Sequence, residues 1–156
     1  MFKIIDLTVN FAAEPICIDA DSAVRFGWAS DSEEDNWLQS SYRITVASEK
    51  ELIDADTPDM WDSGTVFSGI SNNIMYEGKP LEDCREYWFG IEVASDSGDR
   101  DRLVSRFETA LSDKNFQAKW IAQEGYRQSW AQYLRKNFRV DSRKKVLRAR
   151  AYFTGL

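Results

Sequence analysis

Apolar and polar residues alternate in short runs through the first two thirds of the chain. In Val24-Arg25-Phe26-Gly27-Trp28, the positions Val24, Phe26 and Trp28 share one face. Tyr42, Ile44 and Val46 repeat the pattern, and Tyr87, Phe89, Ile91 and Val93 carry it over four inward positions. Ile5, Leu7 and Val9 begin the chain in the same way. A run over residues 103–111 closes the region, with Phe107 as its main anchor. Side chains alternate across a strand, so each run predicts a strand that buries one face and wets the other.

Breakers separate the runs. Residues 31–36 and 49–59 read as polar, acidic loops, and Ser95-Asp96-Ser97-Gly98-Asp99 supplies a turn between the Tyr87 and Leu103 strands. About seven short strands at this spacing predict an all-β fold, an immunoglobulin- or fibronectin-type-III-like β-sandwich over residues 1–111. Leu81 precedes Tyr87 by six residues. That is the spacing of a corner leucine and a tyrosine whose hydroxyl ties the turn to the backbone.

After residue 112 the pattern changes. Residues 116–121 read as a short strand or a link carrying Trp120. Residues 133–140 predict a strand with Leu134, Phe138 and Val140 on one face, and residues 146–154 another with Leu147, Ala149, Ala151 and Phe153 inward. Two or three strands cannot bury both faces of a second sandwich. Residues 112–156 are therefore expected to be a linker and an incomplete C-terminal β segment, either the truncated start of a second β domain or an extension docked on the first. Charge changes at the same place. Residues 1–111 hold 23 acidic and 9 basic side chains, a net of −14, whereas residues 112–156 hold 3 and 11, a net of +8. A shift this sharp marks a domain boundary.

Composition narrows the function classes. A hydrophobic share of 43% with 13% aromatics is enough for a packed core. No apolar run approaches the length a bilayer needs, so no membrane partner is expected. Met1-Phe2-Lys3-Ile4-Ile5-Asp6 reaches an acid before any signal core forms, which predicts a cytoplasmic chain; a leader ahead of Met1 would export the parent regardless. Histidine is absent, removing Ser-His-Asp and Cys-His schemes and imidazole metal ligation. Cys17 and Cys84 are expected to be two small buried or half-buried thiols rather than a disulfide or zinc site.

The remaining candidates have structural explanations. Inverting glycosidases need two carboxyls about 6.5–9.5 Å apart, and among 26 acids some pair meets that distance by accident. Asp31, Glu33, Glu34 and Asp35 form a run on a loop, where solvation keeps them ordinary. Asp54, Asp56 and Asp59 lack the glycine and distal Glu of a calcium loop. In Trp61-Asp62-Ser63-Gly64, Trp61 is expected to fill the sandwich and Ser63-Gly64 to form a turn or bulge. No catalytic, cofactor-binding or metal-ligating residue is expected. Trp88, alternating against Tyr87 and Phe89, falls on the outer face. Together with Trp120 and Trp130 it is expected to be covered by the tail or by neighbouring domains; the alternative is a ring that stacks on a sugar. The basic residues Arg135, Lys136, Arg139, Arg143, Lys144, Lys145, Arg148 and Arg150 read as a solvated strand face. The chain's net charge of −6 argues against nucleic acid as a partner.

The order of short motifs resembles one family. Phe26-Gly27-Trp28 is followed by Gln39, Tyr42-Arg43-Ile44, Val46-Ala47-Ser48, Trp61-Asp62-Ser63-Gly64, Tyr76-Glu77-Gly78, Leu81 and Tyr87. Then come Phe107-Glu108-Thr109-Ala110-Leu111, Ala118-Lys119-Trp120-Ile121, Leu134-Arg135-Lys136-Asn137-Phe138, Arg148-Ala149-Arg150-Ala151-Tyr152 and Thr154-Gly155-Leu156. The set looks like the N-terminal region of bacterial α-L-rhamnosidases of glycoside hydrolase family 78, and it spans nearly the whole chain. The resemblance implies a fibronectin-type-III-like module followed by the opening strands of a jelly-roll-like β domain. It also implies a catalytic (α/α)₆ barrel several hundred residues further on, so no catalytic carboxylate is carried onto these residues. The expectation is a non-catalytic accessory module that packs against and positions neighbouring domains of an inverting enzyme acting on terminal α-L-rhamnosyl residues. The alternative is a stand-alone carbohydrate- or protein-binding module. Unpaired edges at residues 133–140 and 146–154 also predict self-association.

Overall fold

The computed structural model describes residues 2–122, 125 and 133–153. The chain divides into two compact units, Met1–Asp113 and Lys114–Leu156.

In the first unit, strands β1 (Phe2–Val9), β2 (Arg25–Ser32), β3 (Gln39–Ala47), β4 (Trp61–Asp62), β5 (Ile74–Met75), β6 (Glu86–Ser95) and β7 (Arg100–Glu108) form two antiparallel sheets. One runs in the order β1-β2-β5 and the other in the order β4-β3-β6-β7. The inward stripes meet as the alternation predicts. Val24, Phe26 and Trp28 lie in one core with Tyr42, Ile44, Val46, Tyr87, Phe89, Ile91, Val93 and Phe107. Phe26 is the hub. Its ring centroid lies 5.0 Å from that of Phe89, 6.0 Å from Trp61 and 6.2 Å from Phe107.

The corner forms as its spacing implies. The Tyr87 hydroxyl accepts the Glu82 N–H at 2.8 Å, and Leu81 packs against the core beside it. Thr109, fully buried, adds a second tie. Its Oγ1 donates to the Glu82 carbonyl at 2.6 Å and accepts the Arg85 N–H at 2.9 Å. Burial raises the Tyr87 phenol pKa, and the Glu82 hydrogen bond only partly opposes it.

Several expectations need correction. Ile5 faces solvent at 62% exposure, while Ile4 and Leu7 are buried. The register of β1 against β2 slips between Ile4 and Asp6. A bulge there inserts one residue and turns the following side chains to the other face, which strict alternation does not anticipate. Residues 49–59 are not all loop, because Lys50–Asp54 form a short helix, α1, whose Ile53 is buried. Five residues are too few to display a helical period. Strand β7 begins at Arg100 and ends at Glu108, earlier at both ends than the 103–111 run. Cys17 is exposed and Cys84 half-buried, and neither forms a disulfide; Cys17 therefore departs from the buried reading.

In the second unit, no strand forms among the described residues 114–122, 125 and 133–153. The strands read at 133–140 and 146–154 are thus absent over their described parts, and Leu134, Phe138, Leu147 and Phe153 are exposed. Alternation chooses which face of a strand is apolar but supplies no neighbouring strand to bond, and an isolated hairpin is marginal in water. A turn does form. The Lys144 N–H donates to the Asp141 carbonyl at 3.0 Å, and Arg143 pairs with the Asp141 carboxylate at 3.0 Å.

Candidate functional site

The outer face of the four-stranded sheet holds Trp88, the strongest aromatic candidate for ligand contact. It sits on β6 opposite Ala47 on one side and Arg106 on the other. Two cations lie over its ring: Lys50 Nζ at 5.6 Å and Arg106 Cζ at 5.9 Å from the centroid. Each such contact contributes about 0.5–1 kcal/mol at an exposed site. Both cations are held in turn, Lys50 by Asp54 within α1, and Arg106 by Glu86 at 3.2 Å and Glu14 at 3.3 Å. Helix α1 packs on β3 and β6 beside this ring. Its last turn is fixed by Arg102, whose Nη2 donates to the Ile53 carbonyl at 2.8 Å. Gly90 leaves room for that guanidinium, since a Cβ there would lie 3.0 Å from both Arg102 Nη2 and Thr45 Oγ1. Trp88 is half-buried and covered by its own domain's cations, a partner that sequence reasoning did not name.

The acidic loop residues also find individual partners. Arg43, at an outward position of β3, reaches Asp62 at 2.7 Å and Asp56 at 2.9 Å. The hydrogen bonds that Arg43 donates to the Asp62 and Asp56 carboxylates push its pKa up, and the Arg43 guanidinium holds the Asp62 carboxyl below the usual range. Asp59 accepts the Ser48 N–H at 2.9 Å and its hydroxyl at 2.7 Å. Burial alone would raise the Asp59 pKa, yet the Ser48 hydrogen bonds outweigh burial and lower it. Asp54, Asp56 and Asp59 are thus engaged by Lys50, Arg43 and Ser48 respectively, and do not converge on a shared point. Among the described residues, no group of three or more His, Cys, Asp or Glu side chains is placed to hold a metal ion.

The Trp61-Asp62-Ser63-Gly64 motif builds the sheet edge. Trp61 packs against the core with its ring centroid 5.4 Å from that of Tyr76. The Ser63 hydroxyl accepts the Ile44 N–H at 2.8 Å. Gly64 adopts φ +62, a left-handed conformation suited to glycine, and its N–H donates to Asp62 at 2.9 Å. A cavity of about 250 Å³ opens nearby, lined by Ser48, Asp59, Met60, Lys79, Glu82 and Tyr87 among others. Tyr76, whose hydroxyl donates to the Lys79 carbonyl at 2.7 Å, has its pKa pushed up to about 12 by burial. The raised pKa values of Tyr76 and Tyr87 and the lowered one of Asp59 move these three groups away from neutrality, where a general acid or base works best.

Of the other tryptophans, Trp120 stands in the second unit at 67% exposure, and Trp130 lies outside the described residues. The residues missed by sequence reasoning are Arg43 and Arg102, which organise the outer face. The signal for them was faint: a charged residue at an outward strand position is ordinary. No described helix is long and apolar enough to cross a membrane.

These observations define an immunoglobulin-like, all-β domain whose charged and aromatic side chains stabilise the sandwich itself. Residues 4–113 match the model of the Rha78A-like, N-terminal immunoglobulin domain, and the chain belongs to that family. It is a β-sandwich domain associated with the glycoside hydrolase family 78 enzymes. An α-L-rhamnosidase of Formosa agariphila is 33% identical over 147 residues, covering 86% of this chain and 16% of the relative. One from Streptomyces avermitilis is 31% identical over 118 residues, covering 74% of this chain and 11% of the relative. The chain therefore spans a small fraction of the length of the curated relatives it matches. Among solved structures, α-L-rhamnosidase from Dictyoglumus thermophilum superposes with a TM-score of 0.72 at 31% identity, over 78% of this chain and 14% of that one. The Streptomyces avermitilis α-L-rhamnosidase complexed with L-rhamnose superposes at 0.71 and 29% identity, over 78% and 12%.

Proposed function

We propose that this chain is a non-catalytic N-terminal accessory module of an α-L-rhamnosidase, and that its task is to pack against and position neighbouring domains. In this reading the parent hydrolyses terminal α-L-rhamnosyl residues with inversion, through groups on another domain. One observation carries the positioning role: the motif residues that mark the family are engaged in holding the sandwich. Trp61 fills the core edge, Asp62 grips Arg43, and Tyr87 ties the corner. The outward Trp88 is occupied by Lys50 and Arg106, which favours this role over glycan stacking. Intrinsic tryptophan fluorescence titrated with L-rhamnose separates the two roles. A flat titration is the expected result. A saturable quench that disappears in Trp88→Ala would overturn the positioning role and make sugar binding the module's task.

A further inference from the structure

One apolar patch on the sandwich is left uncovered. Residues 63–73 cross from the four-stranded to the three-stranded sheet outside any named strand, tied by backbone hydrogen bonds at Ser63, Val66 and Ser71 and, between the last two, by one side-chain amide. Gln39 Nε2 donates to the Ser68 carbonyl at 2.8 Å and to the Ile70 carbonyl at 3.1 Å, while its Oε1 accepts the Trp28 indole N–H at 3.0 Å. This staple brings Leu38, next to Gln39, beside the crossing segment. There Phe67 is 85% exposed, Leu38 63% and Ile70 59%. Large apolar side chains clustered in this way mark an interaction surface rather than ordinary surface scatter. Acidic residues adjoin Leu38. Glu33, Glu34 and Asp35 directly precede the segment leading to Leu38, and the Asp96 N–H donates to the Leu38 carbonyl at 3.1 Å.

We propose that the Leu38–Phe67–Ile70 face is the surface on which a neighbouring domain of the same polypeptide docks, presenting an apolar centre flanked by Lys and Arg. This rests on the accessory-module reading. Two observations select that occupant. The rim is acidic, and interfaces pair opposite potentials around a dry centre. The relatives also extend far past the matched region, the module accounting for only 11–16% of their length, so on the accessory-module reading the parent carries domains able to cover the face. The face lies where β7 begins, beside Asp96, whereas the sandwich ends with β7 at Glu108 and beyond. Its partner is therefore a domain that comes back alongside the sandwich.

Hydroxyl-radical footprinting of this 156-residue chain and of the full-length parent tests the assignment. Phe67 should label readily in the short chain and severalfold more slowly in the parent. The Asp35→Lys, Asp96→Lys double variant of the parent should restore the fast rate, because it reverses the rim charge without touching the apolar centre. Equal labelling of Phe67 in the two polypeptides overturns the proposal. Turnover of an aryl α-L-rhamnoside by the parent is scored separately. An active parent with Phe67 fully labelled removes the docking face alone. A parent with Phe67 protected and no turnover removes the rhamnosidase reading alone.

Discussion

Replacing Phe26 with alanine is expected to destabilise the sandwich by about 3–5 kcal/mol, the range for deleting a buried aromatic ring. Phe26, on β2, is 1% exposed and contacts the rings of Phe89, Phe107 and Trp61 from the opposite sheet and that of Tyr76 just past β5. The cavity left behind cannot collapse easily, because those rings are anchored on four different segments and the chain around them is paired in strands. Domains of this size are stable by only about 5–15 kcal/mol, so the variant forfeits a large share. At about 4 °C per kcal/mol, its melting temperature should fall by roughly 12–20 °C, read by circular dichroism. A drop of only a few degrees would mean that the two sheets do not share the packed centre described.

Gly78→Ala is the second large effect, and it comes from overfilling rather than emptying. A Cβ at Gly78 would stand 2.5 Å from Trp61 Cβ, 2.6 Å from the Met60 carbonyl oxygen and 2.6 Å from Tyr76 Cζ. Two of these neighbours are tied to the backbone. Met60 O accepts the Lys79 N–H at 3.1 Å, and Trp61 is fixed by its pairing with Val46. Overpacking ordinarily costs about 1–3 kcal/mol and more where nothing can shift; a loss of about 3 kcal/mol is expected, measured by urea denaturation. Gly64→Ala is the informative comparison, because its Cβ would meet nothing within 4 Å and only the φ of +62 opposes it. Gly78→Ala should be the more damaging of the two.

Most of the first unit was legible because sandwich strands have one wet face, and alternation records it directly. Tyr42, Ile44, Val46 and the Tyr87 strand all point inward as their spacing requires. The corner was legible from Leu81 and Tyr87 alone. What escaped was whatever breaks the period or depends on a distant partner. The bulge at Ile5 depends on how β1 meets β2. Helix α1 is stabilised by burial of Ile53 and by Arg102 from a strand nearly fifty residues later in the sequence, so no local pattern announces it. The same is true of the outer face. Trp88 was correctly placed opposite the core, but its cover comes from Lys50 and Arg106, two cations whose proximity only the folded sheet creates. In the second unit the alternation was present, yet no strand formed among the described residues.

The proposed accessory role requires that this chain, a member of the Rha78A-like N-terminal immunoglobulin domain family, does not itself hydrolyse rhamnosides. The most direct measurement is turnover of an aryl α-L-rhamnoside by the purified 156-residue chain, with near-ultraviolet circular dichroism confirming a packed aromatic core in the same sample. The expected result is a folded protein with no release of the aryl alcohol above the buffer rate. Release that scales with protein concentration and follows the chain through gel filtration would contradict it.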